Sequence, residues 1–148
     1  MHPIFVPLSA ASLDKALQLR RQLYLHEDLA FHPTDDVAIL QELIEDSSLG
    51  ILWLIQMGGQ TAGYLLLTQC YSLEFKGRFG LLDEFYLEEQ WRGQGIGSAA
   101  LEFIGEACRA LGLKAVRLEV ANSNLRALEL YRRNGFTIDS RHLMTKWL

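Results

Sequence analysis

The stretch from Phe79 to Gly112 constrains the fold more than any other part of the chain. It opens on an apolar run, Phe79 to Leu87, that reads as a long strand. A loop containing Trp91-Arg92-Gly93-Gln94-Gly95-Ile96-Gly97 follows and leads straight into a helix. There Ile96, Ala99, Ala100, Phe103, Ala107, Cys108 and Leu111 recur on one helical face, with Glu102, Glu106 and Arg109 on the other and Gly112 as the stop. Glycines in such a loop let backbone N–H groups approach a ligand closely, and a helix start adds partial positive charge. Together they form an anion cradle suited to phosphate or pyrophosphate. A tight strand-to-helix turn that needs glycine only for its dihedral angles accounts for the loop as well. A dinucleotide fingerprint fits poorly, because the loop lies two-thirds along the chain behind strands that look antiparallel, and no Gly-Lys-Ser/Thr phosphate loop occurs.

The flanking segments complete an α/β pattern. Ile4 to Leu8 suggests a first strand, and Ser12 can cap a helix carrying Leu13, Ala16, Leu17, Leu23 and Tyr24. Pro33-Thr34-Asp35-Asp36 predicts a second helix start, with Thr34 as N-cap. Ile51 to Met57 and Ala62 to Thr68 are compact apolar strands joined at Gly58-Gly59. Ala115 to Ala121 alternates as a strand, with Val116, Leu118 and Val120 one way and Arg117 and Glu119 the other. Asn124 to Arg133 predicts a short helix stopped by Asn134-Gly135, and Phe136 to Ile138 and Leu143 to Leu148 suggest final strand pieces. The order β-α-α-β-β-β-α-β-α-β implies a mixed sheet flanked by helices.

Composition narrows the class of protein. The chain has 148 residues, 49% of them hydrophobic and 22% charged, which suits one domain over 1–148 with a full core and excludes dominant disorder. No apolar run reaches a membrane span, and Met1-His2-Pro3-Ile4-Phe5 lacks the basic start of a signal peptide. Cys70 and Cys108 make neither a disulfide framework nor a metal set, so a cytoplasmic setting is the expectation. The pI near 5.5 argues against nucleic acid. Charge is uneven: Gln22 to Phe75 holds no Lys or Arg but carries eight acids, whereas the rest of the chain is net basic. That is either a solvated acidic face or a cation-attracting half-site.

The glycine loop and the last helix carry two linked motifs. Arg92-Gly93-Gln94-Gly95-Ile96-Gly97 resembles the Arg/Gln-x-x-Gly-x-Gly/Ala signature of the GNAT superfamily of acetyl-CoA-dependent N-acetyltransferases. Asn124, Ala127, Tyr131, Gly135 and Phe136 fit that family's second signature. The resemblance covers nearly the whole chain and implies a single GNAT-type domain, with a mixed, mostly antiparallel sheet and a cleft between its fourth and fifth strands.

It also implies roles. Backbone N–H groups of Gly93, Gln94, Gly95, Ile96, Gly97 and Ser98, with Arg92 beside them, would hold the pyrophosphate of acetyl-CoA. Phe85, Tyr86 and Leu87 would pair with the pantetheine arm, and the Leu87 N–H would polarise the thioester carbonyl. Asn124 and Ala127 would flank the arm, Arg126, Arg132 and Arg133 are candidates for the 3′-phosphate, and Tyr131 would be the general acid for the leaving thiolate. An alkylamine is mostly protonated at pH 7, and freeing its lone pair costs roughly 4–5 kcal/mol, so a proton acceptor is useful. Asp83 and Glu84 match acidic positions of diamine acetyltransferases. Being consecutive on a strand, at most one of them would face the acceptor. Glu27, just past the first helix, matches an acidic substrate contact.

The expected reaction is direct attack of an amine on the thioester, without an acyl-enzyme and without a metal. The acceptor is a small-molecule or peptide amine, with a small cationic or lysine-like group favoured by the acidic half. A degenerate acyl-CoA-binding regulatory domain is the competing function. The apolar C-terminal segment ending Met144-Thr145-Lys146-Trp147-Leu148 would serve equally as a core strand or as a homodimer surface.

Overall fold

A computed structural model describes all residues, 1–148. Five strands form one sheet in the order β1-β2-β3-β4-β5. They are β1 (Ile4–Pro7), β2 (Gly50–Met57), β3 (Gln60–Ser72), β4 (Gly77–Leu87) and β5 (Val116–Leu118). The first three pairings are antiparallel, and β5 alone runs parallel to β4. Helices α1 (Leu13–His26) and α2 (Pro33–Glu45) cover one face. Helix α3 (Ile96–Ala110) covers the other, and α4 (Leu125–Arg133) follows β5.

Burial on both faces explains why β2 and β3 read as unbroken apolar runs. Trp53, Ile55, Leu65 and Leu67 pack with Ile96, Ala100, Ile104 and Cys108 on the α3 side. Leu52, Leu54, Tyr64 and Leu66 pack with Ala16, Leu19, Leu23 and Leu40 on the other. Phe5 stacks on Phe103 at 4.1 Å and Trp53 meets Phe103 edge-on, closing the far end of the α3 layer.

Three expectations need correction. Helix α2 begins two residues earlier than proposed: His32 is its N-cap, Pro33 opens the first turn, and Thr34 lies inside. Strand β5 is only three residues long. Phe136 to Ile138 and Leu143 to Leu148 form no strand. Residues 137–148 lie exposed, tied by the ion pairs Arg117–Asp139 and Arg141–Glu74. Alternating apolar residues make a strand only where a backbone ladder takes up their N–H and C=O groups, and exposed ion pairs contribute little in its place.

Candidate active site

Strands β4 and β5 pair only from Gly80 to Leu82 against Val116 to Leu118 and then part. A cleft of about 780 Å³ opens between them, bounded by the loop before α3, by α4 and by the end of α1.

An irregularity in β4 shapes this cleft. Leu67 pairs with Leu82 but Leu66 pairs with Glu84, so Asp83 is an additional residue. A bulge re-aims a side chain and shifts the alternation that follows. Before it, the Gly80 N–H reaches toward β5, to Ala115 O. After it, the Glu88 N–H reaches back toward β3, to Ala62 O. By alternation the N–H and C=O of Phe85 and Leu87 face the open β5 edge, while those of Tyr86 face β3. Gly63 fits that side closely, since a Cβ there would stand 2.0 Å from Tyr86 O. The three residues expected to line a pantetheine arm therefore divide: Phe85 and Leu87 offer backbone, and Tyr86 offers only its side chain.

The glycine loop has the backbone its sequence suggested. Gly93 and Gly95 adopt φ of 75° and 82°, and Gly95 is the N-cap of α3. Nothing stands within 4 Å of a Cβ at Gly95, so that position needs glycine for its backbone angle alone. The first-turn N–H groups of α3 have no helical acceptors and open toward the cleft beside Gly93, Gly95, Gly97 and Ser98. Gly97 permits the approach of α4, because a Cβ would meet Leu130 Cδ2 at 3.0 Å. Two side chains of the loop turn away from the cleft and leave only backbone to it: Gln94 Nε2 donates to Gln90 O, and Ile96 is buried in the core. Arg92 Nε donates to Leu87 O at 2.9 Å, and its guanidinium stacks over the Tyr86 ring. Arg126 and Arg133 line the cleft, whereas Arg132 does not.

The second motif is a support for Tyr131. Asn124 caps α4, its Oδ1 accepting from Ala127 N at 3.2 Å. Gly135, at φ 88°, lets the chain turn so that Phe136 N–H donates to Tyr131 O. The Phe136 ring then meets Tyr131 edge-on. Asn134 Nδ2 donates to Leu130 O and Ser98 Oγ, joining the end of α4 to the start of α3. Burial, with Glu27 nearby, pushes the Tyr131 hydroxyl up to about 12.

Beyond Tyr131 the cleft continues into a chamber of about 240 Å³, lined by Glu27, Asp83, Glu84 and Glu119 and by no Lys or Arg. Burial in the wall, then Glu84 and Glu119, hold the Asp83 carboxyl above the ordinary range, against the pull of Arg20. Burial and then Glu84 do the same for Glu27, opposed by His26. Glu84 differs from the other three, since its oxygens accept from Arg20 Nε at 2.8 Å and from Tyr64 Oη at 3.2 Å. Of the eight acids in 22–75, Glu27 alone lines the cleft, and Asp36 is buried. Glu119 was not singled out from the sequence. Its signal was the alternation of β5, which set it opposite Val116 and Leu118.

These features define an acyl-CoA-dependent transferase: parted parallel strands, a glycine-rich helix start with free N–H groups, and a tyrosine facing an acidic chamber. The chain belongs to the acetyltransferase (GNAT) family, whose pattern matches residues 16–136. It is 30% identical over 132 residues to the thialysine N-epsilon-acetyltransferase of Bos taurus, covering 80% of this chain and 75% of that one. An integron cassette protein from a salt-marsh metagenome superposes with a TM-score of 0.86 at 27% identity, covering 97% and 90%. A predicted acetyltransferase of Clostridium acetobutylicum, solved with acetyl-CoA, has the same fold, with a TM-score of 0.82 at 13% identity over 97% and 96%. The protein is an acetyl-CoA-dependent N-acetyltransferase.

Proposed function

We propose that this enzyme acetylates a small amine that carries positive charge, using Asp83 and Glu27 to receive it and Tyr131 to serve the leaving thiolate. The separation of charge along the cleft carries this reading. The glycine-loop end holds Arg92, Arg126 and Arg133, and the far chamber holds only acids. Phosphates and an ammonium group would sort to opposite ends.

Acetyl-CoA fits the first end. The free N–H groups at Gly95 to Ser98 suit a pyrophosphate, and Arg126 Nη2 stands 3.5 Å from where a Gly93 Cβ would be. When bound, the cosubstrate supplies an acetyl thioester. The Leu87 N–H, aimed at the open edge, would donate to the thioester oxygen. Asn124 keeps its amide nitrogen for the arm once its oxygen has capped α4. Replacing Gly95 by Val tests this end. The variant is strained by about 1–2 kcal/mol at φ 82° and puts a side chain where phosphate must meet backbone. Acetyl-CoA affinity measured by calorimetry should fall about tenfold or more in a folded variant. Normal binding would reject the cradle.

At the acceptor end Asp83 takes a proton from the bound ammonium, and the free amine attacks the thioester carbon. The C–N bond forms and the C–S bond breaks. The second amine proton replaces the one Tyr131 gives to sulfur. A covalent route through cysteine has no support, because neither thiol lines the cleft and burial pushes Cys108 up to about 11. A thiol-release assay across polyamines, amino acids, aminoglycosides and peptide N-termini tests the whole reading. Binding of acetyl-CoA without turnover on any of them would favour a regulatory domain.

Asp83→Asn separates activity from stability. The folded protein holds Asp83 above its unfolded value, so its charged form is disfavoured on folding. Stability is therefore lost as pH rises from the unfolded to the folded value, and the amide abolishes that loss. The variant should melt no lower than the parent at pH 7 while the amine KM rises and kcat falls. Glu27→Gln should raise the amine KM alone, less so in high salt. Unchanged amine kinetics in both variants would remove the acids from the acceptor site.

A further inference from the structure

Arg20 and Asp36 are the buried charged side chains of the core, 8% and 7% exposed. Arg20 lies on α1 and Asp36 on α2. The Arg20 guanidinium sets Nε and Nη2 on the two oxygens of Glu84 in β4. Its Nη1 lies against Asp36 Oδ2, an ion contact that is not an aligned hydrogen bond. Tyr64 Oη from β3 and Arg20 Nη2 to Tyr24 Oη close the network.

Such a cluster is a poor way to gain stability. Well-packed apolar residues of similar volume are often as good or better, and a buried ion group with two acids and one base leaves a net charge of −1. Its position suggests another use. Glu84 is the residue after the bulge, so fixing its carboxylate fixes the direction in which Asp83 leaves the strand. Glu27, the C-cap of α1, follows Arg20 by seven residues, about two turns along the same side of the helix. The fork on Glu84 therefore sets where the end of α1 presents Glu27 to the cleft.

We infer that the Asp36–Arg20–Glu84 cluster is a positioning device, a charged lock that holds α1 and α2 in register on the β4 bulge and thereby aims Asp83 and Glu27 at the acceptor. Arg20 and Glu84 are positioning residues, and Glu84 takes no part as proton acceptor. The lock also leaves one negative charge behind the two acids. The other titratable groups around Asp83 are Tyr24, His26, Glu27, Tyr64, Glu119 and Tyr131. Losing the lock's charge makes ionisation of Asp83 and Glu27 easier and moves the acid limb of the amine kcat/KM to lower pH.

This inference rests on the acceptor reading above, and its test uses three variants. Arg20→Lys keeps the charge and loses the fork. Glu84→Gln removes one charge. Arg20→Met/Asp36→Leu/Glu84→Met replaces the lock by apolar packing, which guards against simple unfolding. The triple variant should melt at or above the parent and bind acetyl-CoA within about threefold of it, while its amine KM rises roughly tenfold or more. Arg20→Lys should raise KM with the acid limb in place, and Glu84→Gln should move the limb down. A folded triple variant with the parent's amine KM and pH profile overturns the inference. If the parent acetylates no amine, the acceptor reading fails by itself. Carboxyl 13C titration of the free proteins then decides the lock: a lower midpoint for Asp83 and Glu27 in the triple variant supports it, and unchanged midpoints overturn it.

Discussion

Tyr131→Phe should lower kcat by 10²–10⁴-fold, the usual worth of a positioned acid, while acetyl-CoA binds within about threefold of the parent. The ring stays in place because its support is backbone and aromatic: the Phe136 N–H on Tyr131 O, and the Phe136 ring beside it. Only the hydroxyl is lost. With that hydroxyl near 12, it is fully protonated at neutral pH. An ordinary thiol titrates near 8.5, so complete transfer to the thiolate runs uphill by roughly 5 kcal/mol. In the proposed mechanism Tyr131 would therefore work as a hydrogen-bond donor whose proton is replaced by the one the amine gives up. Consequently the parent's pH profile should carry no Tyr131 limb below about pH 11. An unchanged kcat in a single-turnover measurement of the chemical step would remove Tyr131 from this role.

Arg20→Met should have the largest effect on stability. Removing the one cation leaves Glu84 and Asp36 as uncompensated buried acids, a loss of about 3–5 kcal/mol. For a chain of this size that is a fall in melting temperature of roughly 6–20 °C. Adding Asp36→Leu and Glu84→Met in the same background should recover the loss in full, because the acids themselves then disappear. Thermal unfolding of the single and triple variants checks the claim. Equal melting temperatures for parent and single variant would show that the cluster is hydrated rather than buried.

The elements legible in the sequence were those whose cause is local. The face of α3 repeats within a turn or two, and Gly93, Gly95 and Gly135 sit where the backbone takes a left-handed angle. The β2 and β3 runs are apolar because helices cover both faces of the sheet. Those patterns carried the fold class, the cleft between the fourth and fifth strands and the family. The expectation failed at the C-terminus, where a strand depends on a neighbour to pair with and its own alternation says nothing of one.

The acidic end of the cleft is built by contacts that span the chain. Asp83 and Glu84 are adjacent and chemically alike, and simple alternation allows either to face the amine. What sets them apart in the structure is a bulge defined against β3 and Arg20, 64 residues away in the sequence, which takes both Glu84 oxygens. Glu119 lines the chamber where β5 stops pairing after Leu118, whereas, Glu27 apart, the acids of the 22–75 segment lie in exposed turns, on the solvent face of α2 or, for Asp36, in the core. A carboxylate has the same pattern in sequence whether it meets water, a guanidinium or a substrate. Its partner is fixed only when the sheet register and helix docking bring distant groups within a few ångströms, and that is a property of the tertiary structure alone.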